Sequence, residues 1–460
     1  MSLLLWILAI AAITAAVDRA AFAEVRSRGG RIFGVMTGIG LAVALTSATG
    51  FLAALWGDGM DTRTLFAEST ALGVVASAAL LALPSLRSDY YDLGHDSVPP
   101  DRATLVMLTS TATIVAILGL VQLWMYVAAR PHGSPDGWAI WNTRARFLLL
   151  APFDWTRSFR ADRLGNPDYP LLVPMTVARI WAALPSATPL APLATAFGFL
   201  VATLVLASTG IAWLAGIPAG IASFILLAGS ERLIFETAAQ AADVPLSFYY
   251  LCTCALLVAS DRGVPRDKAL ILAGAAAAAA AWTKNEGMLF VVMCVATMGV
   301  ATWRRHGRVE AIRDVMTFAA GSAPIALIAL LFKTRYAPTT NLIADQSAGA
   351  FVSTLFDVSR HATVIATYAT EIVSGFGLSL VALAAWMRLS SRVDNARPGV
   401  GTNAAIMTLV ATFGGYYLVY VTTSADLRWH LDTSLNRLLL HFWPATVFVM
   451  MAGLRHRAKI

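Results

Sequence analysis

Charge is what this sequence lacks most. Of its 460 residues only 13% are Asp, Glu, Lys or Arg, against 58% hydrophobic, where a soluble domain carries about 25% charged residues. That shortage excludes a water-soluble globular fold and implies a chain that meets lipid over much of its length. Cysteine is scarce too: Cys252, Cys254 and Cys294 all lie in apolar runs. Cys252 and Cys254 stand two apart, so on a helix they point to different sides, and the set reads as small membrane-core residues rather than a disulfide or metal framework. The apolar segment from Leu3 lacks a basic flank and a clear small-residue cleavage site, so no removable leader is expected. Soluble domains, tandem repeats and low-complexity tails are missing as well, and the alanine run 275–281 reads as helix filler.

What is present is a long series of apolar segments. A bilayer core takes about 20 apolar helical residues. Candidate spans cover 2–18, 33–56, 67–86, 104–129, 171–184, 190–208, 211–229, 244–260, 269–282, 288–303, 315–332, 362–387, 403–422 and 439–454. The expected fold is all-α, a polytopic transmembrane helix bundle. Much of the net charge of +7 sits in short loops between spans, where basic residues orient the chain in a bilayer and imply no nucleic-acid partner.

Arg19, Arg26, Arg28 and Arg31 place the first loop inside. So do Arg262, Arg266 and Lys268; Arg304, Arg305 and Arg308; Arg388, Arg392 and Arg397; and Arg455, Arg457 and Lys459 for theirs. Counting from both termini leaves 57–66, 130–170, 230–243, 283–287, 333–361 and 423–438 outside. The two counts meet only if an even number of crossings lies between 170 and 243. One of three candidates there is then not a crossing: first choice 171–184, broken by Pro174, and next 211–229, interrupted by Gly216-Ile217-Pro218. About 13 crossings and an external N-terminus follow. The stretch 88–102, acidic and proline-rich, reads as a solvated internal loop.

Five polar motifs fall in the external segments. Ionisable residues at the membrane cost roughly 2.5–3.5 kcal/mol each near the bilayer centre and are functional candidates by default. The first, Asp136-Gly137-Trp138, opens the long loop 130–170, where Trp138, Trp141, Ala145 and Leu148 make one apolar face and Asn142, Thr143, Arg144 and Arg146 much of the rest. That is the pattern of an amphipathic helix lying in the headgroup plane. Asp136 alone could be a plain N-cap. The second, Asn166-Pro167-Asp168-Tyr169-Pro170, is an extended turn fixed by two prolines. The third, Ala242-Asp243-Val244-Pro245, starts a span, where Asp243 could again be a cap; Glu231 and Glu236 precede it.

The fourth motif, Thr283-Lys284-Asn285-Glu286-Gly287, puts a Lys and a Glu between two spans with almost no loop. Two positions apart on a helix, they would not face each other. Lys284 could hold a phosphate as a point charge or snorkel to the headgroups. The fifth runs from Ala425 to Arg437 with Asp426, Arg428, His430, Asp432 and Arg437. One histidine and no cysteine are too few for zinc; Arg428 and Arg437 suit an anion as bidentate donors. His441, inside the final span, reads as a core histidine. The remaining external loop, 333–361, could be a lid or an acceptor-binding loop.

The runs DGWAIWNTRARFLLL, DYPLLVP, ADVPLSFYY, TKNEG and DLRWHLDTSLNRLLL, in this order and on one side, resemble the GT-C integral-membrane glycosyltransferases. The similarity is to the protein-O-mannosyltransferase-like and aminoarabinose-transferase-like branch, over roughly 104–454. Three spans precede Ala103 where that pattern has one, and a single Asp stands at 136 where many relatives have an acidic pair. The chain so divides into an N-terminal three-helix segment, 1–103, outside the resemblance, and a core, 104–460, which the resemblance implies is catalytic and lies in a bacterial inner membrane with its site facing the periplasm. It also implies transfer of a sugar from a polyprenyl-phosphate donor to a glycolipid, polysaccharide or protein acceptor, with inversion. Asp136 would be the general base and Lys284, Arg428 and Arg437 the donor phosphate clamp. Asp243 would orient the acceptor or hold Mg²⁺ or Mn²⁺, and Asp168 and Tyr169 would shape the sugar pocket, with Glu286 and His430 nearby.

Two other classes fit the composition. A secondary transporter would carry ionisable residues near the midplane on broken helices in repeated halves, whereas these gather at one face without matching halves. A lipid-diphosphate-linked glycan ligase or polymerase would share the membrane setting, but the first-loop Asp at a helix start favours the monophosphate-sugar class.

Overall fold

The computed structural model describes residues 2–25, 27–57, 59–83, 101–150, 155–159, 165–184, 186–338, 348–389 and 398–453. Most of the stretch 88–102, the middle of 333–361, and Arg26, Arg392, Arg397, Arg455, Arg457 and Lys459 lie outside the described residues.

The chain is all-helical over those residues. Its helices are α1 (Ser2–Ala21), α2 (Arg28–Trp56), α3 (Thr62–Ala82), α4 (Arg102–Ala129), α5 (Thr143–Leu150), α6 (Leu172–Ala182), α7 (Leu190–Ala215), α8 (Ile217–Ala228) and α9 (Glu231–Ala238). They continue as α10 (Asp243–Ala259), α11 (Arg266–Thr283), α12 (Glu286–His306), α13 (Arg308–Arg335), α14 (Ala348–Leu355), α15 (Val358–Leu389), α16 (Val400–Thr422) and α17 (Leu427–Phe448). A helix satisfies every interior backbone group within itself, which is what lipid demands of an apolar segment. Where the chain leaves lipid, short polar side chains take the first orphan N–H groups: Ser27 caps α2, Asp61 α3, Asp101 α4 and Asp426 α17.

Among the described residues ten helices are long and apolar enough to cross a membrane, or eleven if α8 and α9, bent by 57° at their junction, form one span. The set is compatible with a multi-pass membrane protein. The eleven-residue α6 is only about 16 Å long at 1.5 Å per residue, well short of a bilayer core. The candidate span 211–229 is divided differently from expectation. α7 runs on to Ala215, and the chain turns at Gly216, whose φ of 100° favours glycine, before Pro218 starts α8.

α10 is the axis of the bundle. All seventeen of its residues are buried, and α11 and α17 pack along it. The alanine run is more than filler: Ala276 to Ala280 are fully buried, and their small side chains let neighbouring backbones approach. A Cβ on Gly274 would lie 2.0 Å from the Phe318 carbonyl oxygen of α13, and one on Gly321 2.0 Å from that of Ile271. Small residues at such crossings substitute van der Waals packing for a hydrophobic drive that lipid does not supply.

α2 reaches the same core through Phe51, whose ring meets Trp282 at 5.6 Å and Phe332 at 5.9 Å, and through Ser47, which accepts from the Trp282 indole at 3.0 Å. α3 is fixed to α6 by Glu68 and Arg179 at 2.8 Å. α4 is the opposite case: only Leu123 is fully buried, and much of the helix is exposed. The ends of α4, α11 and α13, the starts of α10 and α12 and the part of α17 around Arg437 and His441 meet, with Asp136 and Asp168, at one end of the bundle.

Candidate functional site

The five motifs converge at that end. Asp243 stands in the first turn of α10, 1% exposed. It is no N-cap: its Oδ1 accepts from Lys284 Nζ at 2.9 Å and from His441 Nε2 at 2.9 Å. Lys284 also meets Glu286 at 3.0 Å and lies 5.9 Å from the centre of the Tyr169 ring. The expectation that Lys284 and Glu286 would not pair fails for a local reason. Lys284 is in extended conformation at the end of α11 and Glu286 begins α12, so helical spacing does not apply. The turn is possible because residue 287 is glycine; a Cβ there would sit 2.1 Å from the Ala280 carbonyl oxygen.

The proline-bounded turn closes over this cluster. Asn166 adopts φ 49°, a left-handed value. Asp168 Oδ2 accepts from Asn285 Nδ2 at 2.6 Å and from Lys333 Nζ at 3.2 Å. Tyr169 stacks on Trp141 with centroids 5.4 Å apart. Arg144, expected on a polar face of an interfacial helix, is fully buried. It donates to the carbonyls of Asn166 and Tyr169 at 2.6 and 2.8 Å and so holds the turn shut. The helix itself begins as a π-turn, Gly137–Asn142, before α5. Trp141, Ala145 and Leu148 form the buried face as expected, while Trp138 is exposed.

Asp136 lies at the rim. Its reading as an N-cap fails because Ser134 takes that place, accepting from Gly137 N at 3.1 Å. The Asp136 carboxylate instead meets Arg437 Nη1 at 2.6 Å, with Asp136 45% and Arg437 22% exposed. Arg437 also donates to the Thr433 carbonyl at 2.9 Å. His430 bonds the Thr423 hydroxyl at 3.0 Å and its ring lies 4.8 Å from Tyr420. Arg428 and Asp432 are exposed and join none of these contacts; α17 turns them away from the face that carries Arg437.

Burial opposes ionisation of Lys284, yet the Asp243 and Glu286 carboxylates hold its pKa above the ordinary lysine value. Burial, with Glu286 close by, raises the Tyr169 phenol above its usual range, and burial draws the Arg144 guanidinium down to about 10. The site therefore keeps a charged ammonium beneath a neutral phenol. A divalent ion at Asp243 does not fit these residues. Among the described residues no group of three His, Cys, Asp or Glu side chains stands together as a ligand set, and Oδ1 of Asp243 is already held by two donors.

Four residues to which the sequence assigns no site role stand here: His441, read as a core histidine, Asn285, Lys333 and Glu236, the last buried on α9. One signal was available. His430, Ser434, Arg437 and His441 recur at i, i+4, i+7 and i+11, a polar stripe on one face of an otherwise apolar helix. No protein-family model, curated protein or solved structure matches the chain.

Proposed function

We propose that the protein is a membrane glycosyltransferase that moves a sugar from a polyprenyl-phosphate donor to an acceptor hydroxyl or amine at the outer face of a bacterial inner membrane, with about 13 crossings. The observation that carries the reading is the Asp136–Arg437 pair at the rim of a buried Asp243–Lys284–Glu286–His441 cluster. In the transfer, a lone pair of the acceptor attacks the anomeric carbon as the bond to the phosphate oxygen breaks. The acceptor proton passes to Asp136. The leaving polyprenyl phosphate gains a negative charge, which the Arg437 guanidinium stabilises as it develops. Lys284 adds positive charge from behind. No strong acid is needed, because the leaving group is already a stable anion.

The setting suits a lipid donor. An apolar cavity of about 210 Å³ lies between α4, α7, α8 and α9, lined by Gly119, Leu123, Phe197, Leu204 and Ile234 among others. A second, of about 200 Å³, follows the same seam past Tyr126 to Ser134, two residues from Asp136. A hydrocarbon chain along this seam would bring its phosphate to the Asp136–Arg437 rim.

One observation favours a transporter instead: the 57° bend between α8 and α9, with Glu236 buried on α9. The polar cluster, however, gathers at the motif end of the bundle, where helix ends meet, whereas transporters place their sites near the bilayer midplane.

The deciding experiment is transfer from radiolabelled polyprenyl-phosphate sugars in proteoliposomes, wild type against Asp136→Asn. Label that enters a glycoconjugate with the wild type and not with the variant, at equal detergent stability, supports the enzyme and its base. Transfer that survives the substitution moves the base to Asp168 or Asp243. Failure of every donor sinks the reading and returns weight to diphosphate donors or transport.

A further inference from the structure

The buried floor of the site has an imbalance of hydrogen-bonding groups. Asp243 Oδ2, Glu286 Oε2, Asn285 Oδ1 and His441 Nδ1 are all buried and meet no partner among the described residues. All four are acceptors. The two carboxylates are acceptor-only when ionised. Asn285 spends its amino group on Asp168, which leaves the carbonyl oxygen. His441 faces the Asp243 carboxylate through Nε2, so Nε2 carries the proton and the neutral ring's Nδ1 has only a lone pair to offer. Two of these side chains, Asp243 and Glu286, share one ammonium, Lys284, through their other carboxylate oxygens.

Unmatched buried acceptors each cost about 1–3 kcal/mol, and a set of one polarity calls for a ligand of the other. A phosphate brings only acceptors and would meet four more. A cation would meet Lys284. A neutral group with several O–H donors fits both constraints. The flanking rings point the same way: Tyr169 lies against Lys284, and Tyr250, which donates to the Glu286 carbonyl at 3.0 Å, sits 6.0 Å from the His441 ring. Aromatic faces beside clustered acceptors suit a ring with apolar C–H faces and hydroxyl edges.

We infer that this floor is a glycosyl subsite: Asp243, Asn285, Glu286 and His441 receive hydroxyl donors from the transferred sugar, while the phosphate stays above them at Arg437. The inference rests on the glycosyltransferase reading and divides its site in two. Lys284 becomes the counter-charge that keeps the acceptors ionised and in place, not a phosphate ligand.

The test is equilibrium binding to the wild-type protein in nanodiscs. The probes are a polyprenyl-phosphate hexose, its mono-deoxy analogues, and polyprenyl methyl phosphate as a diester of equal charge without sugar. The parent ester should bind more tightly than the methyl ester. Replacing at least one hydroxyl by hydrogen should weaken it about tenfold, the worth of one hydrogen bond to a charged acceptor. In Glu286→Gln that deoxy penalty should shrink, while Arg437→Gln should weaken the hexosyl and methyl esters alike. Hexosyl and methyl esters of equal affinity, with no deoxy position mattering, would overturn the subsite and leave the donor class intact. If neither ester binds, both readings fall. The deoxy series needs no variant, so a misfolded Glu286→Gln does not protect the idea.

Discussion

The two ends of the bundle use their ionisable groups in different ways. At the end away from the motifs, Asp314 of α13 is buried and fully engaged. It accepts from Arg266 Nε at 3.2 Å, Arg266 Nη2 at 2.5 Å and the Thr302 hydroxyl at 2.8 Å. Asp261 takes the Gly401 and Thr402 N–H groups that open α16, at 2.9 and 2.7 Å. Arg262 covers the carbonyls of Ala452 and Gly453 at 2.5 and 2.9 Å. Asp261 and Arg262 finish helix ends, closing orphan backbone groups that lipid would otherwise leave bare, while Asp314 pairs with Arg266 and has both carboxylate oxygens engaged. At the motif end the charges pair mainly with each other, and four buried acceptors stay unmatched. A buried ion pair is weak evidence for stability; a cluster with spare acceptors is better explained by something it binds. The difference separates charge spent on helix ends from charge gathered in one cluster.

The largest effect should come from Lys284→Met. Removing the one ammonium between Asp243 and Glu286 leaves buried carboxylates without their counter-charge, a loss of roughly 3–5 kcal/mol. Detergent thermal unfolding should show a large drop in Tm, and transfer should vanish with it. A variant with native Tm and turnover would mean the cluster is not organised around Lys284. Next comes Arg437→Gln. Its pair with Asp136 is partly exposed, so stability should change by at most about 1 kcal/mol, yet turnover should fall roughly 10²–10³-fold if the guanidinium meets developing charge. A fall in Tm matched by an equal fall in folded enzyme would make the pair structural and erase the contrast.

The other end should behave in reverse. Asp261→Ala removes the acceptor for two N–H groups at the start of α16 and should cost about 1 kcal/mol, as lost caps do. Turnover per folded molecule, measured after quantifying the monodisperse fraction, should stay at the wild-type value. A selective loss of turnover at unchanged Tm would extend the functional site across the whole bundle.

How much of this was legible depends on which physics governs each residue. Apolar length alone marks most of the long helices, because lipid leaves the backbone few options, and the arrangement of basic loops already groups the five motifs. The short α6 betrays itself by Pro174 and its length. Asp136 and Asp243 stand out because carboxylates at span ends are costly, yet their partners lie 301 and 198 residues away, at Arg437 and His441, and no local rule reaches that far. Arg144 was placed on the wrong face because periodicity sees an arginine as polar. It cannot see the carbonyls of Asn166 and Tyr169 waiting inside. Lys284 and Glu286 were misjudged because helical spacing was applied where the chain is extended.

The smallest effect should belong to Arg428, and it sharpens the comparison most cheaply. Arg428 and Arg437 share one helix and one motif and looked equivalent as anion donors. Nine residues is two and a half turns at 3.6 residues per turn, so they occupy opposite sides of α17: Arg437 faces Asp136, and Arg428 faces out. Arg428→Ala should therefore leave Tm within about 0.5 kcal/mol of stability change, as exposed substitutions do, and leave donor affinity and turnover unaltered. Measured beside Arg437→Gln in the same proteoliposomes, the pair tests position against composition. Equal losses in both would mean that net positive charge at this end draws in an anionic lipid, an effect that added salt should abolish. A loss confined to Arg437 would tie the function to one face of α17, the face that also carries His430, Ser434 and His441.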